Sequence, residues 1–351
     1  MRLEGKTVVV IGGAGFIGSH LAEALLREKV ERLAVIDNFS SGRIENLKSV
    51  VGDTRVEVCE GDILHADVLD NALEGADCVF HLAALWLLHC RTRPREAFRV
   101  NVEGTFNVLE TCVRNGVEKL VYSSSASVYG DPAESPIHEE HALGSRTFYG
   151  ATKIAGEQMC RAFFAEHGLD YLALRYMNVY GPRQSARSAD TGVVPKMMDR
   201  LERGLPPLVH GDGSQSLDFI HVEDVAKANI CGARSEASDA SLNVGTGEAT
   251  TIRELAERLM DIWGVELPIE FSPDESPGVR QRIGSVKSAQ EALGFRARVG
   301  LREGLKRTVA WWRTDCGRSA CDGSLECAGD HCEAPDLSTD RMPLRNGQKG
   351  V

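Results

Sequence analysis

Tyr149-Gly150-Ala151-Thr152-Lys153 is the stretch whose residue types and spacing point most directly to chemistry. Residues four apart on a helix share a face, so the Lys153 ammonium would lie beside the Tyr149 phenol. A free phenol titrates near pH ~10, too high for a base at neutrality. A neighbouring cation stabilises phenolate and lowers that value. Ser125 closes the strand-like run Lys119-Leu120-Val121-Tyr122-Ser123-Ser124-Ser125 and would hold the same substrate hydroxyl. A Tyr-x-x-x-Lys pair is also common on plain helix surfaces, so its meaning depends on its surroundings.

Those surroundings begin at Val8-Val9-Val10-Ile11, an apolar run that reads as a buried parallel strand. Gly12, Gly15, Phe16, Ile17 and Gly18 follow, opening a helix with Leu21, Ala24 and Leu25 on one face. Such a turn gives a tight bend, close backbone approach to a pyrophosphate, and a helix N-terminus whose amides face it. A second apolar run, Leu33-Ala34-Val35-Ile36, ends in Asp37. An acid there accepts hydrogen bonds from a ribose hydroxyl and repels a 2′-phosphate, which selects NAD over NADP. A glycine-rich turn without a ligand is the alternative, but strand, turn, helix, strand and acid agree on a dinucleotide. The positive nicotinamide ring of NAD would then add to Lys153 in favouring phenolate.

The chain has 351 residues, 42% hydrophobic and 26% charged, enough for a sizeable core and two or so domains. A net charge of −11 argues against broad nucleic-acid binding. No apolar run is long enough to span a bilayer, and residues 1–11 run straight into a strand without a signal peptide, so a cytoplasmic location is expected. Cys59, Cys78, Cys90, Cys112, Cys160 and Cys231 are scattered singly over core-like elements, as reduced thiols are.

Asn38, Ser40 and Gly42 lie on a polar loop placed to continue around the ribose. Val56–Ile63 reads as a third strand ending near Asp62, which would bond the adenine, cap the next helix, or both. Cys78–Ala84 is a fourth strand, whose small Ala83 and Ala84 allow a cofactor to lie against backbone. His81 is expected to be a packed strand-end histidine. Residues 95–116 form an amphipathic helix containing Asn101, and Leu172–Tyr176 is the sixth strand. Alternating strands and helices argue for an α/β, Rossmann-type doubly wound parallel sheet. Phe219–Val222 and the helical pattern after it read as one more strand and helix of that sheet, and helices are expected near 193–203, 252–263 and 286–293. Residues 1–178 and 214–240 therefore form an NAD-binding domain, and 179–213 and 241–313 a smaller α/β substrate lobe. Residues 314–351, with Cys316, Cys321, Cys327 and Cys332, are expected to be a disordered tail; a small metal site with His331 or a redox clip is the alternative. No metal is expected at the main site.

From about residue 5 to 313 the chain resembles the extended short-chain dehydrogenase/reductases, and among them the NAD-dependent nucleotide-sugar epimerase/dehydratase group. The carriers are Gly12–Gly18, Asp37-Asn38, Asp62-Ile63, His81-Leu82-Ala83-Ala84, the run Ser123 to Gly130, Tyr149-x-x-x-Lys153, Arg175 to Pro182, and Asp218 to Val222. The resemblance, together with the strand ends, implies NAD contacted by Gly12, Gly15, Phe16, Ile17, Gly18, Asp37, Asn38, Ser40, Gly42, Asp62, Ile63, Leu82, Ala83, Ala84, Asn101, Ser123, Tyr149, Lys153, Tyr176 and Val179. It implies a catalytic set of Ser125, Tyr149 and Lys153, and a nucleotide-sugar substrate reaching Ser125, Tyr149, Asn178, Arg183 and Arg280. A homodimer pairing helices 95–116 and 147–166 is implied as well.

In the 4,6-dehydratases of the group an Asp-Glu pair follows the strand-end hydroxyl residue, and UDP-glucuronate decarboxylases keep the Glu. Here Ala126 and Ser127 follow Ser125, and neither can take a proton from carbon. That leaves 4-epimerisation: transient oxidation at C4 to a 4-keto sugar, then return of hydride to the opposite face. The alternatives are a net NAD-dependent dehydrogenase or reductase, a dehydratase of an unusual related substrate, and, least favoured, a non-catalytic NAD-sensing regulator. The sequence departs from the group at the diphosphate. Leu217 replaces the usual Arg before Asp-Phe-Ile-His, Ser276-Pro277-Gly278-Val279 replaces Arg-Pro-Gly-Asp, and Ser285 replaces an Asp. Arg280, Arg282, Arg183 and Arg187 are the candidates to substitute, and Trp86-Leu87-Leu88-His89-Cys90 is unusually apolar beside a sugar.

Overall fold

The computed structural model describes residues 1–132, 134–184, 192–273 and 279–314, all within one compact unit. The tail cysteines, His331, Arg187 and Ser276–Gly278 lie outside the described residues.

The apolar runs form the centre. β1 (Thr7–Ile11), α1 (Phe16–Arg27), β2 (Arg32–Asp37), β3 (Val56–Glu60), α2 (Ala66–Leu73) and β4 (Cys78–His81) alternate along the first third of the chain. Then come α3 (Leu87–Thr92), α4 (Pro94–Phe98), α5 (Gly104–Arg114), β5 (Lys119–Ser125), α6 (Phe148–His167), β6 (Tyr171–Tyr176) and β7 (Asn178–Tyr180). After these follow α7 (Val193–Glu202), β8 (Leu208–His210), β9 (Ser216–Leu217), β10 (Phe219–His221), α8 (Val222–Arg234) and β11 (Ala240–Val244). The last elements are β12 (Thr250–Thr251), α9 (Ile252–Trp263), β13 (Glu270–Ser272), β14 (Gln281–Arg282), α10 (Lys287–Leu293) and α11 (Leu301–Trp312).

Seven strands make one parallel sheet in the order β11-β6-β5-β4-β1-β2-β3. Strand order reverses between β1 and β4, the crevice where such sheets bind ligands. Val8 and Val10 face one apolar layer and Val9 and Ile11 the other, so β1 is covered on both sides. That is why the run carries no polar residue.

Two expectations change. Phe219–His221 does not join the main sheet: β10 pairs with β7, in parallel and in a sheet of its own. The seventh main-sheet strand is β11, from the segment assigned to the substrate lobe. Both strands are short and include polar residues, and only the three-dimensional pairing separates them. The helix over 95–116 is also not uniform. It runs from α4 through a π-helical turn at Arg99–Glu103 into α5. Such turns re-aim side chains inside helices, and this one carries Asn101.

Helices α7, α9 and α10 match the expected patterns. α11 was not anticipated, although Leu305, Val309 and Trp312 recur at helical spacing and pack with α7 and α9 in a third apolar cluster. Cys59, Cys78, Cys90, Cys112, Cys160 and Cys231 are all free thiols. Among the described residues no helix is long and apolar enough to cross a membrane.

Candidate active site

The glycine turn shows why it needs glycine. Gly12 has φ +81°, and a Cβ on it would lie 2.7 Å from the Ala83 nitrogen; one on Gly18 would lie 2.2 Å from the Gly12 oxygen. β1, the neighbouring strand end and α1 therefore meet as bare backbone, with the α1 N-terminus facing a cleft of about 1770 Å³. A single-ligand pocket usually holds about 300–1,000 Å³, so this cleft has room for a dinucleotide and a second ligand.

Asp37 ends β2 in the cleft wall. Its carboxylate accepts the Ala14 and Phe39 amides, each at 2.9 Å, while burial pushes its pKa up. A carboxylate has about four acceptor sites, so capacity remains for a ribose diol. Asp62 does not cap α2, whose N-cap position is His65. Instead Asp62 accepts the Leu64 amide at 2.9 Å and the Asn38 amide group at 3.0 Å, joining the two strand-end loops.

The catalytic candidates converge from β5 and α6. Thr147 caps α6 by accepting the Gly150 amide at 3.0 Å, which places Tyr149 in the first turn and Lys153 one turn on. The buried Lys153 Nζ donates to the Ser123 carbonyl at 2.7 Å and lies 5.9 Å from the Tyr149 ring centroid. Burial lowers the Lys153 pKa to about 8. Burial raises Tyr149 to about 12, against a hydrogen bond with Ser125 that pulls it down. The protein's own groups therefore keep Tyr149 protonated at neutrality, and the lysine does not offset its burial. Ser125 accepts the Ser127 amide and donates to the Ser127 hydroxyl, both at 3.1 Å. Ala126 and Ser127 face the cleft beside it.

A buried polar network backs this strand end. Arg175 of β6 forms a two-pronged pair with Glu157 of α6 at 2.9 and 2.7 Å and donates to the Tyr129 hydroxyl at 2.8 Å. Ser124 donates to the same Glu157 carboxylate. Tyr176 shares a hydrogen bond with Ser123 at 2.9 Å and donates to Asn229 at 2.9 Å. His81 is buried against Thr105 at 3.0 Å, with its pKa lowered to about 3 by burial, and takes no part in the cleft.

Most expected residues line one cleft: Gly12, Gly15, Phe16, Ile17, Gly18, Asp37, Asn38, Ser40, Gly42, Asp62, Ile63, Leu82, Ala83, Ala84, Ser123, Ser125, Tyr149, Lys153, Tyr176, Asn178, Val179 and Arg183. Asn101 and Arg280 do not. The buried Asn101 side chain accepts the Leu85 amide at 2.7 Å and donates to Thr152 at 3.1 Å, bracing the wall behind the cleft. Arg280 is exposed and offers its carbonyl to the Ser216 amide. Arg183 is in the wall but ion-paired to Glu23. Arg282, Phe219 and Trp311 also line the cleft. Arg282 is one of the substitutes the sequence offers, whereas position along the chain hides Phe219 and Trp311, because β10 and α11 reach the site only through tertiary packing.

Residues 8–245 match the model of the NAD dependent epimerase/dehydratase family. The chain belongs to that family. It is 34% identical over 308 residues to UDP-glucose 4-epimerase of Mycolicibacterium smegmatis, covering 87% of this chain and 98% of that one. The UDP-N-acetylglucosamine 4-epimerase of Methanobrevibacter ruminantium, solved with UDP-N-acetylmuramic acid, superposes with a TM-score of 0.83 at 35% identity over 88% of this chain and 98% of that one. The dTDP-glucose 4,6-dehydratase DesIV of Streptomyces venezuelae, solved with NAD bound, superposes at 0.83 with 28% identity, covering 89% and 98%.

NAD is the cofactor of the family, and the residues present fit it: a cradle that any Cβ at 12 or 18 would fill, the α1 N-terminus, and a carboxylate at Asp37 with acceptor sites to spare. Bound there, NAD would supply a hydride acceptor and a positively charged ring.

Proposed function

We propose that the chain is an NAD-dependent nucleotide-sugar 4-epimerase. Tyr149 takes the proton of the C4 hydroxyl, Ser125 holds the same oxygen, and Lys153 supplies positive charge from the Ser123 carbonyl. NAD held by the glycine cradle and Asp37 would accept the C4 hydride and give it back to the opposite face of a 4-keto sugar, with the proton on Tyr149 returning to the C4 oxygen. Asn178 and the substrate lobe, residues 179–213 and 245–313, hold the nucleotide. The observation that carries the reading is that Ala126 and Ser127 face the cleft directly after Ser125. Dehydration and decarboxylation need an acid or base there, and neither side chain supplies one. Exposed Phe98, Phe106 and Phe148, on α4, α5 and α6, support a homodimer joined along those helices. The free thiols support a cytoplasmic location.

The test incubates NAD-loaded protein with UDP-, GDP-, CDP- and dTDP-sugars and identifies the products by NMR. A C4 epimer with C5 and C6 intact is expected. A 4-keto-6-deoxy sugar or a pentose would replace the reading with elimination chemistry, and NAD released in its reduced form would replace it with net dehydrogenation.

A further inference from the structure

The cations lining the cleft differ in what already holds them. Lys153 donates to the Ser123 carbonyl, Arg99 pairs with Glu103, and Arg183 pairs with Glu23 through one nitrogen while its buried Nη1 has no acceptor. Arg43 and Lys48 lie on the segment after Asp37, the side a dinucleotide ribose would take. Arg282 stands apart. Among the described residues it forms no ion pair, and Asp131 is the acid that acts on it through space. Its Nη2 donates to the Gly130 carbonyl at 3.2 Å, and its buried Nε has no acceptor. A guanidinium presents five donors in a planar fork, and burying one half-satisfied costs free energy unless an anion joins it.

The strand pairing shows where this guanidinium comes from. β14 runs parallel to β9 with Arg282 in register with Leu217, and the Asp218 amide donates to the Arg282 carbonyl at 3.0 Å. Position 217 is where the resemblance implies an arginine, and here Leu217 packs against an apolar cluster instead. Its register partner is the arginine that reaches the cleft.

We propose that Arg282 anchors the substrate diphosphate, its guanidinium delivered from β14 in place of one from position 217 on β9. The proposal rests on the nucleotide-sugar reading above. Two phosphate groups match the planar fork, and the unpaired Nε supplies a donor that no protein acceptor uses.

The experiment measures UDP, GDP, CDP and dTDP binding to the NAD-loaded protein by calorimetry, for the wild type, Arg282→Gln, and Arg282→Gln combined with Leu217→Arg. Gln keeps a donor for Gly130 without the charge, and NAD content and the unfolding temperature check the fold of each variant. The expected result is a roughly ten- to hundredfold weaker Kd for the free diphosphate in Arg282→Gln, with partial recovery in the double variant. A merely structural role of Arg282 would not be rescued from position 217. If the wild type binds one diphosphate and Arg282→Gln binds it within twofold, the anchor assignment is overturned while the epimerase reading stands. A variant that keeps UDP affinity but loses UDP-glucuronate would also overturn it, assigning Arg282 to a sugar carboxylate. If the wild type binds none of the four, the nucleotide-sugar reading itself fails.

Discussion

Lys153 donates to the carbonyl of Ser123 at 2.7 Å, two residues before β5 ends at Ser125. One hydrogen bond thus ties the buried ammonium to the strand that presents the hydroxyl. Its energetic cost is visible in the Lys153 pKa, lowered to about 8 because burial disfavours the charged form. Between pH ~8 and ~10.5 the unfolded chain holds a proton that the folded chain has lost, so stability rises with pH across that window. Lys153→Met should therefore gain stability relative to wild type at pH 7, on the order of 3 kcal/mol before subtracting about 1 kcal/mol for the lost hydrogen bond. The gain should shrink by pH 10, while turnover falls at both. Urea unfolding at the two pH values checks this, and a variant less stable by the same amount at each would refute it.

Tyr149→Phe removes the hydroxyl and leaves the cleft wall. Turnover should fall by at least about 10²–10⁴-fold, with NAD still co-purifying. The phenol itself is measurable. With Tyr149 held up near 12 by burial, its phenolate absorbance should appear only at high pH in protein stripped of cofactor. NAD in its oxidised form should lower that onset by about a unit or more, because a positive ring favours phenolate. Reduced cofactor, lacking that charge, should shift it far less. A difference spectrum against Tyr149→Phe isolates the signal.

Gly18→Ala tests the cradle. The added Cβ would meet the Gly12 oxygen at 2.2 Å, a backbone atom that cannot swing aside. Shifting the turn should cost about 1–3 kcal/mol and release most of the bound NAD, measured by absorbance after gel filtration. Full NAD retention would mean that the turn yields more readily than its geometry indicates.

Glu157→Gln tests the support behind β5. Arg175 would lose its buried counter-charge, and breaking such a pair costs about 3–5 kcal/mol. The midpoint of urea unfolding should fall accordingly. Replacing both residues with apolar ones of similar size should cost less than the single change, and a double-mutant comparison reads that difference directly.

Much of this was legible in the chain. Unbroken apolar runs predict strands covered on both faces, glycines at 12, 15 and 18 predict a backbone that must pass close to other backbone, and helical spacing predicts the Tyr149–Lys153 pair. These are local rules. Spacing along the chain determines which face a side chain takes, and sterics determine where a Cβ is not tolerated. Short strands such as β7, β10 and β11 obey no rule that assigns them to a sheet, because three to five residues of mixed polarity carry too little pattern to select an edge.

The sequence by itself therefore determined the doubly wound sheet, the glycine turn, Asp37 at the end of β2 and the shared face of Tyr149 and Lys153 on α6. The tertiary structure decided what the spacing could not reach. It turned Asn101 into a brace for the wall, tied Arg183 to Glu23, left Arg280 in solvent, and set Arg282 beside Leu217 at the cleft. The physical reason is that a charged side chain's role depends on which partners fold within a few ångströms of it. For Arg282 the register partner lies more than sixty residues away in sequence, a separation that no local pattern encodes.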